Sequence, residues 1–389
     1  MEEKMKEENI VMPDYKHCIL GTITSILKYY NVDSKHKSSE KIDKILNEKN
    51  YKNVVLLILD GMGDIVLKNI DENGYFRKNQ IDVVTSVYPS TTTAALTTYY
   101  AGKPPFETGW IAWSQYFKEY GKNIDMLSHM QSLTGLNIKN AKLDVFKEIV
   151  NYKTIFNQIE EASKDVKAYE IMPSYSDRRS KRTIKADSID EITENIKLLC
   201  ENDDKKFIMA YSDNPDGLLH KYGTKSDEVK EFVIETEKKI KNMCDNLNDD
   251  TIIIISADHG HKDIEKSYSI LDYPVLQKCL LMPPSLESRC ITFWVKENMK
   301  EEFEREFNKE FKEEFMLMSK EEFLSKNMLG FGDMHNKIDD FLGNYIAVSI
   351  SGSIIVLENY LEKGKGVKKS THCGLTRDEM EVPIIVLKK

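Results

Sequence analysis

No stretch of this sequence approaches the roughly 18 consecutive apolar residues that a membrane-spanning helix needs. The longest apolar run, VVLLIL at 54–59, has the length of a strand. The opening residues, MEEKMKEENIVMPDYKH, alternate acid and base and lack the apolar core of a secretion signal. Cysteine is sparse, six among 389 residues with no C-x-x-C pair, which argues against a disulfide framework and for reduced thiols. A basic surplus is missing too: 55 Lys and Arg against 64 Asp and Glu leave a net charge of −9. That balance disfavours a nucleic-acid polymer or an anionic membrane surface as partner. Internal repeats are absent. The expectation is a cytoplasmic globular protein with no membrane partner and an oligomeric state that the sequence does not decide.

What is present is core. Hydrophobic residues make up 41% and aromatics 10%, enough for one large domain with or without an inserted lobe. Four apolar runs punctuate the chain. Residues 54–59 lead into Asp60-Gly61-Met62-Gly63, and 206–211 into Ser212-Asp213-Asn214. Residues 251–255 lead into Ser256-Ala257-Asp258-His259-Gly260, and 382–387 close the chain. Runs apolar on both faces read as buried parallel strands. Helical periodicity lies between them, as at 228–247. The fold class is therefore α/β, a three-layer sandwich with a mainly parallel central sheet. Ligands in such sheets gather at the carboxyl ends of strands, and three of these runs end on a carboxylate.

The expected organisation is an N-terminal helical segment at 1–50 packed on the core, a catalytic core at 51–270 and 357–389, and a small inserted α+β lobe at 271–356. Pro283-Pro284, a strand at 290–295 and a charged helix at 297–315 with Phe at helical spacing mark the lobe.

Each acidic or histidine residue has a bland explanation taken singly: a turn, a strand exit, a core imidazole. Their combination is different. Asp60, Asp216 with His220 in D-x-x-x-H, Asp258-His259 and His372 supply three carboxylates and three imidazoles. That mixture suits zinc, with manganese as the second choice, and six ligands divide naturally between two divalent ions.

The segments ILDGMG (58–63), YPSTTTAALTT (88–98), AGKPPFETG (101–109), PDGLLHKYG (215–223), SADHGHKD (256–263) and THCGLTRDEMEVPIIV (371–386) carry a resemblance. In their order the chain resembles the alkaline phosphatase superfamily, and within it the type I phosphodiesterase/nucleotide pyrophosphatase branch. The resemblance implies one metal on Asp216, His220 and His372, and a second on Asp60, Asp258, His259 and Thr92. Thr92 is the implied nucleophile, three residues after a Tyr-Pro pair and ten before Gly102. Its neighbours Thr91 and Thr93 are expected to cap the helix. The implied reaction is hydrolysis of a small phosphorylated substrate, a phosphodiester or pyrophosphate, through a phosphorylated threonine. A hydroxyl beside a cation is a competent nucleophile, and the helix amides face the phosphate.

Two departures keep alternatives open. Ala95 stands where the branch carries an asparagine that holds a phosphate oxygen, and the arginine clamp of the monoesterases has no counterpart. A phosphomonoesterase, a phosphotransferase or mutase, and a non-catalytic binding relative remain the rival readings. Asn214, with Lys221 and Tyr222, is a candidate substitute for substrate binding. Trp110 and Trp113, with Tyr116, form either an aromatic wall for the leaving group or core packing at i, i+3, i+6. His261 is expected to support a metal ligand from behind.

Overall fold

The apolar runs become the middle of one seven-stranded sheet. Its spatial order is Gln80–Thr85, Glu381–Lys388, Thr251–Ser256, Asn53–Leu59, Lys205–Ser212, Val166–Met172 and Arg182–Lys185. This is a computed structural model, and it describes residues 9–70, 73–132, 134–138, 144–357 and 368–388. Asn53–Leu59 pairs in parallel with both neighbours and is buried at every position. A strand covered on both faces has no polar side to offer, hence VVLLIL.

Two groups of helices cover the sheet. Ile19–Tyr29, Thr92–Ala101 and Ile155–Ala162 pack together, as do Asp64–Ile70, Ile189–Glu201 and Asp227–Asp245. The long helix starts where Ser226 caps it, accepting from the Val229 amide. The fold is thus the mainly parallel α/β sandwich expected. One strand differs: Glu381–Lys388 runs antiparallel to both its neighbours. The chain has just passed His372 at the carboxyl end of the parallel strands, so the last strand can only run back.

A second, antiparallel seven-stranded sheet lies beside this core. Phe315–Ser319, Tyr345–Ser349, Cys290–Phe293 and Ser285–Leu286 come from the stretch expected to form the lobe. Ser114–Phe117, Lys122–Asp125 and Met130–Gln131 complete it from a stretch that the sequence reading placed in the core. These strands are two to four residues long, too short to show an alternating pattern. The charged helix also ends sooner than its spacing suggests. Lys300–Phe311 buries Phe303, Phe307 and Phe311 fully, whereas Phe315 opens a strand. Each such burial contributes about 1.5–3 kcal/mol.

The helix Thr92–Ala101 is buried throughout and lies against Ile19–Tyr29. It stops at Gly102, whose φ of +66° is left-handed. A Cβ there would come within 2.5 Å of Leu27 Cδ1. No described helix is long and apolar enough to cross a membrane.

Candidate metal centre

Three strand ends converge at one edge of the central sheet. Asp60 follows Asn53–Leu59 directly, and its amide donates to Ser212 O at 3.0 Å. Asp216 opens the helix Asp216–Tyr222 after Lys205–Ser212, and its amide donates to Asp60 O at 2.9 Å. Asp258 and His259 follow Thr251–Ser256. Gly61 allows the close approach: its φ is +73°, and a Cβ there would lie 3.0 Å from Asp216 Cα.

The imidazoles are oriented from behind. Nδ1 of His220 lies 2.8 Å from Ser370 O, Nδ1 of His259 lies 3.0 Å from Gly260 O, and Nδ1 of His372 lies 3.1 Å from Ser90 O. A carbonyl only accepts, so each Nδ1 carries the proton and each Nε2 presents a lone pair. Burial holds His220 and His372 below the ordinary imidazole value, and His261 falls to about 3 for the same reason. Rings kept neutral in this way are ready to ligate.

The donor atoms form two overlapping groups. Asp60, Asp258 and His259 make one; Asp216, His259, His261 and His372 make the other. His259 Nε2 lies 3.4 Å from both Asp60 Oδ1 and Asp258 Oδ2, and its ring stacks on His372 at 3.8 Å. His220 stands at the margin of the second group, its Nε2 3.3 Å from Asp216 Oδ1. His261 sits closer than the sequence suggested. Its Nε2 is 2.6 Å from Asp216 Oδ1, and its Nδ1 is 3.0 Å from Ser370 Oγ.

Electrostatics mark the place as made for cations. Asp60 Oδ1 and Asp258 Oδ2 are buried without a hydrogen-bond partner among the described residues, a costly state for anionic oxygen. Burial, and then the charges of Asp258 and Asp216, push the Asp60 carboxyl well above the usual carboxylate range. Asp216 goes the other way. Burial alone would raise it, but His220, His261 and His372 hold it well below. A positive ion satisfies the orphaned oxygens and relieves the repulsion among carboxylates, so the donor set fits divalent metals.

Thr92 is the first residue of its helix, 9% exposed. Its Oγ1 lies 3.3 Å from His259 Nε2 and 3.4 Å from Asp60 Oδ2. The neighbouring threonines do not cap the helix, contrary to expectation. Thr91 occupies the cap position, but its hydroxyl donates to Glu287 Oε1 at 3.0 Å. Thr93 Oγ1 is buried with no hydrogen-bond partner among the described residues. Glu287 arrives from the second sheet and also accepts the Trp113 amide at 2.6 Å. The charge-assisted bond to Glu287 fixes the direction of the Thr91 hydroxyl, and its oxygen accepts from no helix amide among the described residues.

A cavity of about 340 Å³ opens beside Asp60, Thr92 and Asp216. Trp113, 42% exposed, and Tyr175, 68% exposed, line it with Leu96 and Met126. Trp110 is core: it is 5% exposed, and its indole donates to Val150 O at 2.7 Å. Tyr116 packs on Trp294 at 5.6 Å. Asn214 does not line the cavity. Its amide donates to Asp213 Oδ1 at 3.0 Å, within its own loop. Lys221 lies over the Tyr222 ring on the surface.

Sequence reasoning missed Tyr211 and Glu287. The Tyr211 hydroxyl donates to Asp60 Oδ2 and stays protonated because burial, and then Asp60, raise it. A polar-tipped residue at the end of a buried strand was the available signal. Glu287 left none, because its partners are remote in sequence.

The profile of the type I phosphodiesterase/nucleotide pyrophosphatase family matches residues 54–325. No curated protein matches by sequence. Among solved structures, the chain is similar to an inactive threonine-to-alanine variant of murine ectonucleotide pyrophosphatase/phosphodiesterase 5 in complex with AMP. The TM-score is 0.64 and the identity 14%, over 86% of this chain and 87% of that one. The human counterpart gives 0.63 and 16% over the same shares. Phosphonoacetate hydrolase from Sinorhizobium meliloti 1021, in complex with phosphonoformate, gives 0.59 and 15% over 85% and 89%.

Proposed function

We propose a function from one premise: the chain belongs to the type I phosphodiesterase/nucleotide pyrophosphatase family. It is a hydrolase of phosphoric ester bonds. Our reading is that it cleaves a small phosphodiester or pyrophosphate through Thr92 at a site for two divalent ions, zinc ahead of manganese. One observation carries this: the Thr92 hydroxyl stands at a helix start, within 3.4 Å of Asp60 and His259, beside carboxylate oxygens that have no hydrogen-bond partner among the described residues.

Asp216, His220 and His372 would hold one ion, with His261 bracing or joining them. Asp60, Asp258, His259 and Thr92 Oγ1 would hold the other. When bound, the ions lower the pKa of the Thr92 hydroxyl and neutralise phosphate charge. Thr92 Oγ attacks phosphorus and its proton passes to water in the cavity; the P–O bond to the organic group breaks, and the departing oxygen takes a proton from water there. Water then releases the phosphoryl group from Thr92. The first amides of the helix point at the phosphate throughout, and Tyr211 holds Asp60 in place. Trp113 and Tyr175 offer faces to the organic group.

A phosphomonoesterase is the second reading. It is favoured by Ala95, which is buried inside the helix and offers phosphate no donor. Chromogenic phosphodiester, phosphomonoester and phosphonate substrates, assayed with added zinc or manganese, decide between them. Hydrolysis of none of these by a metal-loaded chain would refute the proposal.

A further inference from the structure

Ala95 offers a phosphate oxygen no donor; Arg179 lines the cavity, and a second cation, Lys368, reaches the candidate metal-binding side chains themselves. Lys368 stands four residues before His372. Its backbone is anchored beside the metal centre: the Lys369 amide donates to His220 O at 2.8 Å, and Ser370–Thr371 pairs with Lys262–Asp263. From there the exposed side chain turns inward, and Nζ lies 3.2 Å from His220 Nε2. That nitrogen presents its lone pair to the site, since Nδ1 is committed to Ser370 O. Burial holds the Glu287 carboxyl above its ordinary value; the Trp113 amide and the Thr91 hydroxyl offset part of that, and the Lys368 ammonium adds a smaller pull in the same direction.

A lysine held this near a position for a dication is repelled by it, unless an anion lies between the two. The substrate phosphate is such an anion. Two ions would carry four positive charges against the three carboxylates that hold them, a surplus of about one, and the negative charge on the oxygens of a diester under attack by an alkoxide, about two, exceeds it. Resting on the phosphoester reading, we propose that Lys368 is a phosphate-binding residue of this site. Its ammonium takes a non-bridging oxygen of the substrate and serves where Ala95 cannot. Lysine suits the task as a point charge on a flexible stem.

The test uses the full chain loaded with zinc, in wild-type form and as Lys368→Met and Lys368→Arg. Inorganic phosphate binding is measured by calorimetry, metal content by elemental analysis, and kcat/KM on a diester. We expect unchanged metal content in all three proteins. Lys368→Met should bind phosphate at least tenfold more weakly and lose roughly ten- to hundredfold in kcat/KM, less than a rigid buried oxyanion donor loses. Lys368→Arg should recover most of both. Equal phosphate binding by wild type and Lys368→Met overturns the proposal and leaves the phosphoester reading standing. Loss of metal from Lys368→Met also overturns it, because the residue would then be supporting His220. A zinc-loaded wild type that neither binds phosphate nor cleaves esters refutes the underlying reading, and this proposal with it.

Discussion

Three adjacent threonines, all buried, face three different environments, so replacing them one at a time separates chemistry from structure. Thr92→Ala removes the hydroxyl beside Asp60 and His259. Its contacts there are long, 3.3 and 3.4 Å, so the stability lost should be under about 1 kcal/mol. Turnover should fall by several orders of magnitude; removal of a nucleophile elsewhere costs on the order of 10⁶. Thr92→Ser should retain much of the rate. Thr91→Ala strips Glu287 of one of its two donors and should cost about 1–3 kcal/mol, with a smaller effect on rate. Thr93→Val removes a buried hydroxyl with no partner among the described residues and should be neutral or stabilising. Diester hydrolysis at fixed metal content and denaturant unfolding are the two assays. Normal turnover in Thr92→Ala together with loss in Thr91→Ala or Thr93→Val would show the register to be wrong. Full activity in all of them would sink the covalent mechanism.

Three further outcomes follow from the geometry. Elemental analysis should find two divalent ions per chain; His259→Ala and Asp258→Ala should each deplete the ion that Asp60, Asp258 and His259 would hold and spare the other. Arg289 and Glu379 form a fully buried pair, with Arg289 Nε 2.6 Å from Glu379 Oε1. Arg289→Ala should cost about 3–5 kcal/mol in denaturant unfolding by leaving the carboxylate unpaired. Burial would raise Glu314, but Lys266, Ser351 and Ser353 outweigh it and bring it to about 2. A depressed carboxyl stabilises above its unfolded value and loses that contribution as pH falls toward 2. Unfolding measured from pH 6 to pH 2 should therefore decline less steeply in Glu314→Gln.

The candidate metal-holding residues were legible because each lies within a few residues of a buried strand. Asp60 and Asp258 end runs whose burial on both faces makes them unmistakable, and Asp216 and His220 share one helix face at i, i+4. The capping role given to Thr91 failed because its partner, Glu287, is 196 residues away. The aromatic stretch divides between the two readings left open for it. Ser114–Phe117 is a strand of a sheet whose other members come mainly from residues 285–349. So Trp113 alone faces the cavity, while Trp110 is core.

Alone, the sequence determined the central strands, the class of chemistry and most of the candidate metal-holding side chains, because burial periodicity and ligand spacing act over a few residues. Only the tertiary structure decided which groups meet. It set His261 against Asp216, Tyr211 against Asp60, Glu287 against Thr91 and Lys368 against His220. Those pairings depend on how distant segments pack around one edge of the sheet, and no local pattern encodes that distance.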